Sequence, residues 1–183
     1  MSVHLILGGA RSGKSSHAEQ WVRQVSTQFQ RGEVSRPLHY VATAIAFDDE
    51  MKTRIEHHRH SRGVGWVEHE APLALAELLK RFQADDVVLV DCLTLWLNNV
   101  IFNHGDMARA DDIHDAVNTL VDVLSASSAY LCLVSNEVGL GVVPMGQVSR
   151  LFVDHAGWMN QRIAAIADRV DFVAAGLPMR LKG

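Results

Sequence analysis

Gly8-Gly9-Ala10-Arg11-Ser12-Gly13-Lys14-Ser15 follows directly on the apolar run Val3 to Leu7. The stretch reads G-x-x-x-x-G-K-[ST], a phosphate-binding loop in the setting its mechanism requires, between a buried strand and a helix. Glycines let the backbone curl so that successive N–H groups point into one concavity, which holds phosphate oxygens. A helix starting near Gly13 adds its dipole and its unpaired N–H groups. Lys14 reaches the β- and γ-phosphates as a point charge, and the Ser15 hydroxyl is placed to ligate magnesium. The chain is expected to bind a nucleoside triphosphate.

Working outward, four short runs read as buried strands: Val3 to Leu7, His39 to Thr43, Val87 to Val90 and Tyr130 to Val134. Each is rich in Val, Ile, Leu or Tyr, and helical patterns separate them, the signature of a parallel sheet. Val170 to Ala174 reads as a fifth strand, and Leu177 to Leu181 as an edge strand weakened by Pro178. Helices are predicted over Gly13 to Gln28, Asp48 to His60, Pro72 to Phe82, Asp111 to Ser125 and Gln147 to Ala167. In the last, Val148, Leu151, Phe152, His155, Met159, Ile163 and Ile166 form a helical stripe. The polar stretch Gln28 to Pro37 reads as a surface connection. The expected fold is α/β: a P-loop NTPase-like three-layer sandwich with a mostly parallel central sheet and helices on both faces. Residues 1–183 suit a single nucleotide-binding domain.

Composition narrows the function classes. The chain has 183 residues, a net charge of −4, and 48% hydrophobic and 21% charged residues. No general affinity for nucleic acid is expected from that balance, so the anion site must be made locally. Cys92 and Cys132 lie in or beside apolar runs and read as buried free thiols of a reducing compartment. No stretch approaches the roughly 20 apolar residues that span a bilayer. The first residues carry no basic lead or cleavage site, and a cytoplasmic protein is expected. Trp21, Trp66, Trp96 and Trp158 read as core or interface residues rather than stacking platforms.

In such sheets ligands bind beyond the carboxyl ends of the strands. Thr43-Ala44 follow the second strand, Asp91 ends the third, and Ser135-Asn136-Glu137 follow the fourth. Asp91 is placed either to meet magnesium or its water shell beside the phosphate loop, or to cap the segment beginning Cys92-Leu93-Thr94. Asp48 to Glu50 put acids in the first turn of a helix whose last turn carries His57, His58, Arg59 and His60. Phe47, Met51 and Ile55 mark its packed face. His58 lies near that face, whereas His57, about 200° around the axis from Ile55, shares its side with Thr53, Arg54 and His60. An exposed imidazole beside an arginine suits a nucleotide phosphate and is able to attack one covalently. The alternatives are a solvated basic helix end, or a metal site from His57 and His60. Glu70 and Glu137 read as acids in loops. The loop of Glu137, with Gly139, Gly141 and Pro144, suits a mobile substrate-binding segment.

Gly8 to Ser15, Ala42-Thr43-Ala44, Asp48-Asp49-Glu50-Met51, Arg54-Ile55 with His57-His58, and Asn136-Glu137-Val138-Gly139 occur in one order, with Asn160-Gln161-Arg162 in the last long helix. In this combination, over essentially the whole chain, the sequence resembles the bifunctional adenosylcobinamide kinase/adenosylcobinamide-phosphate guanylyltransferase family of cobalamin synthesis. The resemblance implies a kinase step that passes the γ-phosphoryl of ATP or GTP to adenosylcobinamide. It also implies a second step in which GTP and adenosylcobinamide phosphate give adenosylcobinamide-GDP and pyrophosphate, through a guanylylated histidine matching His57. Nucleotide contacts would fall at Gly8 to Ser15, at Ala42, Thr43 and Ala44, at His58, Arg59, His60 and Ser61, and at Glu70 and Asp91. Mg2+ would sit on Ser15 and Asp91. A homo-oligomer, a trimer, is implied as well. Read from residues alone, a phosphate-loop kinase without a covalent step and a nucleotide-dependent switch remain open. Many such switches carry N-K-x-D, whereas Asn136 is followed by Glu137.

Overall fold

The computed structural model describes residues 2–28, 37–45, 49, 63–102 and 108–183. Seven strands form one sheet: β1 (Ser2–Gly8), β2 (Leu38–Ala42), β3 (Trp66–Glu70), β4 (Val87–Asp91), β5 (Tyr130–Asn136), β6 (Arg169–Ala174) and β7 (Leu177–Lys182). Their order is β3-β2-β4-β5-β1-β6-β7. All pairings are parallel except β6 with β7. The chain leaves β1, builds β2 and β3 at one edge, and then fills the gap with β4 and β5. It crosses β1 to add β6 and closes with a hairpin.

Burial follows strand position. The central strands β1, β4 and β5 are apolar on both faces, as strands covered by helices must be. Their alternation sorts residues into two cores. Ile6, Val87, Leu89, Cys132 and Val134 pack beneath Ala18, Val22 and Val25 of α1 (Lys14–Gln28). Val3, Leu5, Leu7, Val88, Val90, Leu131 and Leu133 pack on the opposite face, beneath α2 (Leu75–Leu79), α3 (Leu93–Phe102), α4 (Ala110–Ala126) and α5 (Gln147–Ile166). The three layers expected from the sequence are present. Both cysteines are buried and free.

Several boundaries differ from expectation for physical reasons. β2 ends at Ala42 rather than Thr43, because the Thr43 hydroxyl binds the backbone of Cys92 beyond the ladder. The helix expected over Pro72 to Phe82 is regular only over Leu75–Leu79. Arg81 and Phe82 close onto Leu78 and Leu79 by tighter i→i−3 bonds. Val148 stands apart from its predicted stripe, 44% exposed, and the buried face of α5 begins further along. Glu70 is the last residue of edge strand β3, not part of a loop. Pro178 is accommodated because β7 is an edge strand. The four tryptophans pack on the chain's own groups: Trp96 Nε1 donates to the Leu73 carbonyl, Trp21 meets His4, Trp66 meets Tyr40, and Trp158 meets His114. Apart from Asp49, the predicted helix Asp48 to His60 lies outside the described residues, as does most of the connection Gln28 to Pro37.

Candidate phosphate-transfer site

The loop between β1 and α1 is bent by two left-handed residues, Arg11 (φ 54°) and Gly13 (φ 94°). Ser12 N–H returns to the Gly9 carbonyl at 3.3 Å, and His17 N–H opens the helix on the Gly13 carbonyl at 3.0 Å. Lys14 folds back over the loop, its Nζ donating to the Gly9 carbonyl at 3.0 Å. This curl aims backbone N–H groups and one ammonium into the same small space. Two observations fit the loop to an anion. A side chain at Gly9 would meet nothing within 4 Å, leaving that wall of the cradle open. Ser12 Oγ is buried without a hydrogen-bond partner among the described residues.

Strand alternation brings more groups to the same rim. Gly8 follows Ile6, Asp91 follows Leu89, Asn136 follows Val134, and Ala42 follows Tyr40, so all four lie on the face covered by α1. Gly8 pairs in register with Asn136, Asp91 with Val134 and with Ala42, and Ala42 with Glu70. At ~4.8 Å between strands, Asp91 stands about 10 Å and Glu70 about 19 Å across the sheet from Ile6, which lies in their row two residues before Gly8. Lys14, Ser15 and Asp91 thus occupy one end of one face, with Asp91 half-buried at its strand end. Glu70 lies at the far edge of the same row.

Thr43 is fully buried. Its hydroxyl donates to the Cys92 carbonyl at 2.7 Å and accepts from the Cys92 N–H at 2.9 Å, while its carbonyl accepts from Asn99 Nδ2 at 2.8 Å. It shapes the floor of the rim, with Ala42 and Ala44 half-buried on either side. Burial pushes the Cys92 and Cys132 thiols up, and the Asp91 charge adds to this, so neither is a thiolate nucleophile at neutral pH. His57, His58, Arg59, His60 and Ser61 lie outside the described residues.

One cluster escaped the sequence reading. The Asp171 carboxylate on β6 receives His4 Nε2 from β1 at 3.1 Å and His17 Nε2 from α1 at 3.0 Å. Arg169 Nη2 reaches the same oxygen at 2.7 Å, and Arg180 Nε stands 3.9 Å from the other. Among the described residues this is the one group of three ligand-type side chains with donor atoms mutually within 4.8 Å. Its carboxylate is already neutralised by guanidinium, so it works as an anchor that seats α1 on β1 and β6. Burial pushes His4 down to about 4 despite Asp171. Burial alone would raise Asp171, but hydrogen bonds from Arg169 and His17 bring it down to about 2. Only the fold joins these residues, which stand 154 and 167 positions apart in sequence.

A phosphate loop on an interior strand of a mostly parallel sheet, with an amide at the tip of the adjoining strand β5 and a carboxylate at the tip of the next strand, β4, defines a nucleotide-binding enzyme of the P-loop class. The chain belongs to the cobinamide kinase / cobinamide phosphate guanyltransferase family, which matches residues 4–181. As a member it is a transferase with both of those activities. The bifunctional adenosylcobalamin biosynthesis protein CobP of Pseudomonas aeruginosa is 47% identical over 180 residues, covering 98% of this chain and 96% of that protein. The corresponding protein CobU of Escherichia coli K12 is 38% identical over 188 residues, covering 97% and 98%. A Pyrococcus horikoshii protein solved as a structural study superposes with a TM-score of 0.52 at 7% identity, over 100% of this chain and 86% of its own, a likeness of fold alone.

Proposed function

We propose that this chain phosphorylates adenosylcobinamide with ATP or GTP and then transfers GMP from GTP to adenosylcobinamide phosphate. The observation that carries this reading is the loop Gly8 to Ser15, with Lys14 folded over it and Asp91 on the same face of the sheet. In the kinase step the loop N–H groups and Lys14 hold the triphosphate while the acceptor hydroxyl attacks the γ-phosphorus. The bond to the β-phosphate oxygen breaks, the nucleoside diphosphate leaves, and the hydroxyl proton passes to solvent. Ser15 and Asp91 are the residues that would hold Mg2+, which supplies charge neutralisation to the phosphates.

In the second step an imidazole nitrogen of His57 attacks the α-phosphorus of GTP and pyrophosphate departs toward Lys14. Neutral imidazole is the reactive form, and an ordinary histidine with a pKa of about 6.5 supplies it at pH 7. The phosphate of adenosylcobinamide phosphate then attacks the guanylylated histidine, forming the new pyrophosphate bond and returning His57. Ala42, Thr43, Ala44, His58, Arg59, His60, Ser61 and Glu70 complete the nucleotide contacts in this reading.

The loop after β5 begins at the phosphate loop, where Glu137 N–H donates to the Gly8 carbonyl at 3.1 Å. It carries Leu140, Val142, Val143 and Met145, of which Val142 and Met145 are 96% and 94% exposed. Apolar groups held beside the transfer site support a role in receiving the corrinoid. The protein acts in the cytoplasm as one domain of a homo-oligomer, a trimer, without nucleic acid. No helix among the described residues is long and apolar enough to cross a membrane.

The test is incubation with GTP labelled at the α-phosphate, followed by denaturation. Label is expected on the protein, stable to alkali and lost in acid. His57→Asn should remove both the label and guanylyl transfer while kinase activity persists, and His58→Asn should not. Label that persists in His57→Asn overturns the assignment.

A further inference from the structure

The side-chain oxygen of Asn136 is buried and has no hydrogen-bond partner among the described residues. The rest of its surroundings is matched. Asn136 Nδ2 donates to Thr94 Oγ1 at 3.0 Å, and the Asn136 N–H reaches the same oxygen at 3.4 Å. Thr94 Oγ1, accepting both, also lies within hydrogen-bond distance of Cys92 Sγ, at 3.1 Å. The Asn136 carbonyl accepts from Asn160 Nδ2 at 3.2 Å, and Asn160 Oδ1 accepts from Ser135 Oγ at 2.8 Å. The Nδ2 side of the amide is thus engaged by Thr94, which turns Oδ1 the other way. One acceptor is left over, an omission that ordinarily costs about 1–3 kcal/mol.

Its position says what it waits for. Asn136 ends β5, the strand lying between the phosphate-loop strand β1 and the Asp91 strand β4. It faces Gly8 in register and shares the α1 face with Gly8 and Asp91. A lone acceptor there repels phosphate oxygens, so its partner must bring a hydrogen. We propose that Asn136 Oδ1 accepts the hydrogen bond of the attacking hydroxyl of the alcohol substrate in the kinase step and fixes that oxygen in line with the γ-phosphorus. An amide is no base, so Asn136 orients the hydroxyl without taking its proton, which leaves to solvent as the phosphorus–oxygen bond forms and the diphosphate departs.

The proposal rests on the two-step reading above and divides its steps. In guanylyl transfer the nucleophiles are an imidazole and a phosphate, and neither offers a hydroxyl hydrogen. Asn136→Ala should therefore lower kinase kcat about 100-fold. Its nucleotide KM, its melting temperature and its guanylyl transfer to supplied adenosylcobinamide phosphate should each stay near wild type. Asn136→Asp keeps an acceptor oxygen, toward which the Thr94 hydroxyl is free to rotate, and should restore part of the kinase rate. Equal losses in both reactions would make Asn136 a structural residue and overturn the proposal, as would an undiminished kinase rate in Asn136→Ala. If wild-type protein performs no guanylyl transfer, the two-step reading fails. The kinase kcat and KM of the two variants then judge Asn136 by themselves.

Discussion

The backbone N–H of Gly176 donates to the carbonyl of Ser12 at 2.8 Å, tying the phosphate loop to the turn of the β6–β7 hairpin. A side chain on Gly13 would stand 3.1 Å from Gly176 Cα, and one on Gly8 would stand 2.5 Å from the Val173 carbonyl oxygen. The loop is therefore backed by main chain that has no room to retreat.

That backing separates two neighbouring glycines. Gly8→Ala forces the new methyl group against backbone and should lower the melting temperature together with both activities. Gly9→Ala meets no protein atom within 4 Å. It should leave the melting temperature unchanged and weaken only nucleotide binding, because its methyl group enters the cradle. Thermal melts with and without nucleotide read the difference, and equal destabilisation by the two substitutions would contradict the open cradle.

Lys14 lies over the loop with Nζ on the Gly9 carbonyl. Lys14→Ala removes the charge aimed at the β- and γ-phosphates and should slow both reactions by about 100-fold or more. Isothermal titration with a non-hydrolysable triphosphate should show weaker binding. Wild-type kinase turnover in this variant would place the triphosphate elsewhere.

Asp91→Asn keeps the size and the strand end but removes the anion. Turnover should fall by about 10–100-fold, more than nucleotide affinity does, with a higher magnesium concentration needed for half-maximal rate. Titrating magnesium against rate makes the check. Unchanged magnesium dependence would reduce Asp91 to a cap for the segment after β4.

Acid should unfold the protein through the Asp171 cluster. Asp171 has a carboxyl lowered from 3.8 to about 2, so its share of stability is full above pH ~4 and is lost as pH falls toward 2. His4 is lowered from 6.5 to about 4. The unfolded chain therefore takes up a proton between those values that the folded chain refuses, and stability declines as pH falls through that window. Each shift is worth roughly 2–3 kcal/mol. Urea midpoints measured from pH 7 to pH 3 should fall, with a shallower slope in His4→Gln over the upper window. A midpoint constant from pH 6.5 to pH 4 would deny His4 that role.

The sequence showed the parts of the fold whose burial leaves a period. Val87 to Val90 and Tyr130 to Val134 announce strands because the sheet interior tolerates nothing else. β3 stayed hidden because Trp66-Val67-Glu68-His69-Glu70 is an edge strand that keeps polar groups in water. α3 stayed hidden for the opposite reason. Leu93-Thr94-Leu95-Trp96-Leu97 is apolar but for Thr94, itself buried, and has no exposed polar face to betray a helical repeat. The site divides in the same way. Gly8 to Ser15 and Asp91 are visible as types at spacings. An unmatched oxygen on Asn136, or a carboxylate shared by His4, His17 and Arg169, exists only once distant strands lie side by side.

The place of β1 in the sheet also governs when the nucleotide site comes into being. Ser2 pairs with Tyr130 and His4 with Arg169, so both neighbours of the phosphate-loop strand are made long after it. At about 5–20 residues per second, translation of the intervening roughly 130 residues takes about 6–26 s, during which β1 has no partner to its left or right. Strands β2, β3 and β4 are contiguous in space and complete by Asp91, and they are able to assemble meanwhile. Strand β1 is thus made well before it is seated, and a newly made chain gains its capacity for nucleotide only once β5 and β6 have followed.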